Sequence, residues 1–156
     1  MLEQAFRALL EAAAEADAAG FPGPAPSDGG WNAEQILAHV SLVTATTLTT
    51  ASAIASGTGA VYDNRVALDL WTIDRLIDRS GGGTGLTERL RAQGAALCAL
   101  TTGAALTPAE LDTQVPTLLL SDGKVLVDQL MPLRDLLTGL AEVELPTHTR
   151  QLLTLR

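Results

Sequence analysis

Near its C-terminal end the chain reads Glu144-Leu-Pro-Thr-His148, a carboxylate and an imidazole four positions apart. On a helix that spacing puts both side chains on one face. The surrounding stripe is Leu133, Leu137, Leu140, Glu144, His148, Gln151 or Leu152, and Leu155. Arg134, Asp135, Glu142, Thr149 and Arg150 fall on the other side. Glu144 and His148 therefore interrupt the core-facing stripe itself. An unpaired carboxylate there costs several kcal/mol, and no Lys or Arg falls on the stripe to neutralise it. A metal ion would satisfy both groups, since it accepts an anionic oxygen and a neutral imidazole from one helical face.

Two ligands do not complete a site. The only other histidine is His39. It sits beside the apolar stripe Ile36, Val40, Val43 and Leu48 of an upstream helical pattern. Three ligands, His39, Glu144 and His148, would leave at least one coordination position open, which marks a catalytic rather than a structural metal. The plainer alternatives are a hydrogen-bonded core histidine and a solvated Glu–His pair. Coincidence with the apolar stripe favours the metal. Pro146, between the two candidate ligands, removes a backbone donor. The helix either kinks there or restarts with proline near its first turn.

The elements that must position these residues are mostly helical. Leu2, Phe6, Leu9, Leu10 and Ala13 form one stripe, ended by Gly20 and the connecting stretch GFPGPAPSDGG. Asn32 is an N-cap with Gln35 three residues on, and Trp31 and Ile36 have the spacing of a hydrophobic staple. Val66, Leu70, Ile73 and Ile77 predict a third helix, with Trp71 at its edge, before GGGTG breaks the pattern. A fourth is expected from roughly Thr87 to Thr102 on Leu90, Leu97 and Leu100. Thr107-Pro-Ala-Glu110 reads as a capped helical turn. Two β-rich runs flank Asp122-Gly123 and predict a small hairpin near 116–128. The residues thus predict one all-α domain over 1–156, a helix bundle with an accessory helix and the hairpin near one end.

Two stretches carry a family resemblance. GWNAEQILAHVSLV resembles the second-helix signature of the DinB-like metal-binding bundles, in which a Trp near the helix start precedes an LAH motif whose His is a ligand. ELPTHTRQLL resembles their last-helix signature, two ligands four apart followed by Gln-Leu. Glu144 in the first of those slots is similar to the mycothiol-dependent maleylpyruvate isomerases. The resemblance covers about 30 residues. It implies an up-down-down-up four-helix bundle. It also implies a divalent metal held by His39, Glu144 and His148, zinc foremost with Ni²⁺, Mn²⁺ or Fe²⁺ as alternatives, and a low-molecular-weight thiol such as mycothiol. The chain ends soon after the last helix, so the C-terminal domain of the isomerase subgroup and its substrate contacts are not expected.

Composition narrows the partners. The 156 residues carry a formal charge of -8 and a pI near 4.5, which repel phosphate backbones and anionic lipids. Neither nucleic acid nor a membrane is an expected partner. Acidic residues begin at Glu3 and no basic n-region precedes them, unlike a signal peptide. No run looks long enough to span a bilayer. The single Cys98 excludes an internal disulfide and suits a reducing cytoplasm, where a helical Ala/Leu setting would leave it inert. The sequence predicts a cytoplasmic thiol-dependent transferase or isomerase acting on a small molecule, in a bundle that could form a homodimer. The other readings are a metal- or ligand-binding bundle without turnover and a metal-dependent hydrolase. Hydrolysis would need a general base, for which Asp63, Asp69 and Asp128 are candidates, each also explicable as a solvated or capping residue.

Overall fold

The computed structural model describes residues 1–21, 30–103 and 105–155. The connecting loop expected after Gly20 lies mostly outside the described residues. Helices α1 (Leu2–Ala18), α2 (Ala33–Ala55), α3 (Leu70–Ser80), α4 (Gly83–Thr102), α5 (Pro108–Leu111), α6 (Leu133–Gly139) and α7 (Leu145–Thr154) dominate. Three short strands, β1 (Tyr62–Asp63), β2 (Gln114–Ser121) and β3 (Lys124–Pro132), form a sheet of order β1-β2-β3. The fold is therefore mostly α rather than all-α. The strand missed in the sequence is β1, two residues long and paired in parallel with Thr117 and Leu118.

Helix α1 packs on α4 and α7, and α2 packs on the same two helices. The shared core is aliphatic, with Leu9, Leu37, Leu90, Leu97, Leu145 and Leu152 among its fully buried side chains. The Asn32 side chain caps the Gln35 N–H at 2.8 Å, and Gln35 returns the bond to the Asn32 N–H at 3.1 Å. Against expectation, α2 is long and apolar enough to cross a membrane by length and composition. In this fold most of that stretch is buried among its neighbours.

The third helix departs from its predicted stripe. Asp69 accepts from the Thr72 N–H and starts α3 afresh, so Val66 belongs to a preceding 3₁₀ turn, Arg65–Leu68. Val66 and Leu70 are consequently exposed, and Ile73 alone of that stripe is fully buried. Trp71 is exposed too, with the Arg75 guanidinium 5.2 Å from its ring centroid. Helix α4 begins four residues earlier than expected. Gly82, at φ 83°, takes a turn open to glycine, and a Cβ on Gly83 would lie 2.4 Å from the Phe21 ring. The Gly83 N–H donates to the Glu34 carboxylate at 2.8 Å, an anion placed at a helix N-terminus.

The hairpin is longer than predicted, 114–132 rather than 116–128. Asp122 (φ 49°) and Gly123 (φ 72°) both adopt the left-handed conformation of a type I′ turn. Leu119 pairs with Val127 but Leu120 pairs with Val125, so Leu126 is the extra residue of a bulge. The capped turn at Thr107 forms as predicted, with a reciprocal bond between Thr107 and Glu110.

Between α6 and α7 the chain widens into one π-helical turn, Leu140–Glu144. The Leu145 N–H reaches back five residues to the Leu140 carbonyl. This turn resolves the Pro146 question. Pro146 follows this widened turn in a run whose backbone stays helical at Gly139, Leu140, Glu144 and Leu145, so the break in the regular ladder that its missing donor requires coincides with the π turn rather than with a new helix start. The added residue keeps Leu140 and Leu145 both in the core while Glu144 turns to its edge.

Candidate metal centre

The three predicted ligands converge. His39 is delivered by the second turn of the capped helix α2, Glu144 by the end of the π turn and His148 by α7 one turn later. Both histidines are buried, while about a third of the Glu144 side chain remains exposed at 32%. One ligand atom from each lies within 4.8 Å of the others, a group able to hold a metal ion.

Hydrogen bonds to the far side of each ring fix its orientation. His39 Nδ1 donates to the Ala67 carbonyl at 2.7 Å. A carbonyl carries no proton, so the proton sits on Nδ1. His148 Nδ1 lies 2.7 Å from the Gln151 side-chain oxygen and donates to it. Both Nε2 atoms then face the same carboxylate oxygen, Glu144 Oε1, at 2.8 Å from His39 and 3.2 Å from His148. A neutral imidazole protonated on Nδ1 presents a lone pair at Nε2. Three electron-pair donors are thus aimed at one another and need positive charge between them. Protonating both rings would set two imidazolium ions with centroids 4.7 Å apart in a buried site. A single divalent ion satisfies all three donors, and the Nδ1 partners are the kind that orient metal-binding histidines. Donors around a tetrahedral zinc lie roughly 3.3 Å apart. The His148–Glu144 separation matches, and His39 would have to part from Glu144 by about half an ångström on the same geometry.

Electrostatics favour an ionised carboxylate. Burial pushes the Glu144 carboxyl up; were both Nε2 atoms protonated, hydrogen bonds from His148 and then His39, together with their charges, would outweigh it and hold the carboxyl at about 2, and a cation between neutral rings would play the same part. Trp31 lies against the His39 ring, centroids 4.6 Å apart, and so does more than staple the helix start.

The cluster forms the floor of an open cleft of about 960 Å³. One wall comes from the hairpin, through Leu119, Leu120 and Leu126. Asn64 holds that wall in place. Its side chain donates to the Leu120 carbonyl and accepts from the Leu120 N–H, each at 2.9 Å. None of Asp63, Asp69 and Asp128 lines the cleft: Asp63 pairs with Arg65, Asp69 caps α3 and Asp128 lies exposed on β3. Asp122 does line it, which the sequence did not suggest because Asp-Gly there already served the turn. Cys98 is half-buried on α4 and burial pushes its thiol up, in keeping with an inert residue.

Sequence reasoning reached the three donors but missed Ala67 and the hairpin wall. Ala67 acts through its backbone, which leaves no trace in residue type. Gln151 appeared as an alternative position on the stripe and in the Gln-Leu pair of the last-helix resemblance, without a role of its own. Set against protein-family models, curated proteins and solved structures, the chain matches none of them.

Proposed function

We propose that this chain is a metal-dependent enzyme on a DinB-like, up-down-down-up bundle, in the manner of the mycothiol-dependent maleylpyruvate isomerases. It would use a low-molecular-weight thiol such as mycothiol as cofactor for S-transfer or isomerisation. One observation carries this reading: two buried imidazoles, each anchored through Nδ1, turn Nε2 toward a single carboxylate at the floor of a cleft. His39, Glu144 and His148 would hold the ion, and their two nitrogens and one oxygen suit zinc. When bound, such an ion lowers the proton affinity of a coordinated thiol and supplies a thiolate at neutral pH. The chain's own part is placement. Ala67 and Gln151 aim the rings, Glu144 offers the charge, and Trp31, Leu120 and Leu126 line the approach.

Besides the three donors, Asp122 is the only ionisable side chain among the described residues that line the cleft. Ser121, Thr147 and Thr154 bring hydroxyls to the described lining, but none of them is hydrogen-bonded to a histidine or carboxylate that could act as its base, and no cysteine is among these residues. A nucleophile brought by a cofactor thiol meets that shortage. A binding bundle without turnover shares the same lining and differs only in lacking product formation.

Elemental analysis of the purified chain should find about one divalent ion per chain. His148→Ala should lose it, and retention of stoichiometric metal by that variant would refute the assignment. With Co²⁺ in the site, mycothiol should produce a sulfur-to-metal charge-transfer band. Absence of both the band and any thermal shift with thiols sinks the thiol reading while leaving the metal site standing.

A further inference from the structure

We infer that the cleft selects an uncharged ligand with an apolar body, and that the hairpin is the element that reads it. This rests on the metal-site reading above and adds a substrate class to it. Polar side chains, the three donors among them, share the lining with a set of apolar ones. Leu68, Leu119, Leu120, Leu126 and Val143 face the space from the 3₁₀ turn, the hairpin and the π turn. Leu126 and Val143 are large side chains left 66% and 63% exposed, so their burial by a ligand would be favourable.

Charge points the same way. No Lys or Arg is among the described residues that line it, whereas Glu144 and Asp122 both are. The two positive charges of a bound ion would already be offset by Glu144, Asp122 and a thiolate. An anionic group would lose its water without gaining a cation, which is costly. A dicarboxylate is therefore a poor fit, and an uncharged aryl or alkyl electrophile is a good one.

The hairpin is built to hold this wall still. The bulge at Leu126 inserts one residue beyond the ladder, and bulges re-aim side chains beside binding sites. Asn64 clamps Leu120 from the opposite side with two backbone bonds. Leu126 itself is exposed at the sheet edge, so changing it leaves the core and the three donors untouched.

The test uses the full chain loaded with Co²⁺ and two thiols with the same donor atom and different bodies, neutral phenylmethanethiol and anionic 2-mercaptoethanesulfonate. A second pair, benzohydroxamate and succinomonohydroxamate, repeats the comparison without sulfur. Within each pair the apolar probe should bind at least about tenfold tighter. Leu126→Ala should cut that preference and Leu126→Lys, which removes the apolar contact and supplies a cation, should abolish it, with Co²⁺ content unchanged in both. Equal affinity within both pairs, or a preference that survives Leu126→Lys, overturns the inference. If neither thiol binds but the hydroxamate pair shows the preference and its loss in Leu126→Lys, the thiol reading fails and this one stands. A chain that holds no Co²⁺ overturns both.

Discussion

Glu144 alone would be an expensive residue to turn toward the core, and His39 and His148 alone would be ordinary buried imidazoles. Together they are three donors around one point, each ring held by a hydrogen bond on its far side. Gln151 should therefore matter without touching the ion. Gln151→Ala should weaken metal affinity by about 10- to 100-fold, while Gln151→Glu keeps an acceptor for His148 Nδ1 and should restore it. Competition with a chromophoric chelator reads both. Tyr62, the only tyrosine, allows a second measurement at this scale. Burial pushes its hydroxyl up from 10.0, the bond with Thr47 opposes that, and the Glu144 charge adds to it. Below 10.0 both folded and unfolded chains keep the proton and the contribution to stability is whole. As pH rises above that value the unfolded chain ionises first, so stability falls until the folded phenol also titrates. Tyrosinate absorbance should therefore appear together with loss of helical circular dichroism, and a Tyr62 that titrates normally in the folded chain would contradict its buried position.

At the scale of elements, the site depends on helix starts and on one irregular turn. The Asn32–Gln35 box sets where α2 begins, and His39 follows within the next two turns. Asn32→Ala should cost about 1 kcal/mol in denaturant unfolding, and Asn32→Ser should recover most of it. An unchanged midpoint in Asn32→Ala would mean that packing alone fixes the start of α2. The π turn Leu140–Glu144 is the less expected device. Apolar spacing of three and four describes a regular helix through Leu133 to Leu155, and that pattern cannot show where one extra residue enters a turn. Pro146 was the visible sign that something interrupts the regular ladder. Whether it meant a kink or a restart depended on hydrogen bonds around Leu145 that residue types do not specify.

For the whole molecule, the donors come from α2, the π turn and α7, and so a bound ion would tie α2 to the last helix. Binding to the folded state alone stabilises it by about 2.7 kcal/mol at a hundredfold excess over Kd. For a chain of this length that corresponds to a rise in Tm of roughly 5 to 10 °C. Zn²⁺ should produce such a shift, EDTA should reverse it, and His39→Ala should show neither. A Zn²⁺ shift preserved in His39→Ala would place the ion elsewhere.

Local chemistry made much of this protein legible in advance. Caps at Asn32 and Thr107, the Asp122-Gly123 turn, the apolar stripes and the inward position of Glu144 and His148 all follow from neighbours a few residues apart in the chain. Such features depend on backbone geometry that repeats every turn or every second residue. The tertiary structure decided the rest. It placed His39 within 2.8 Å of a carboxylate 105 positions away, set the Ala67 carbonyl behind that ring and folded the hairpin over the cleft. Those contacts arise from how helices and strands dock, a choice made by packing of the whole core rather than by any segment's own periodicity.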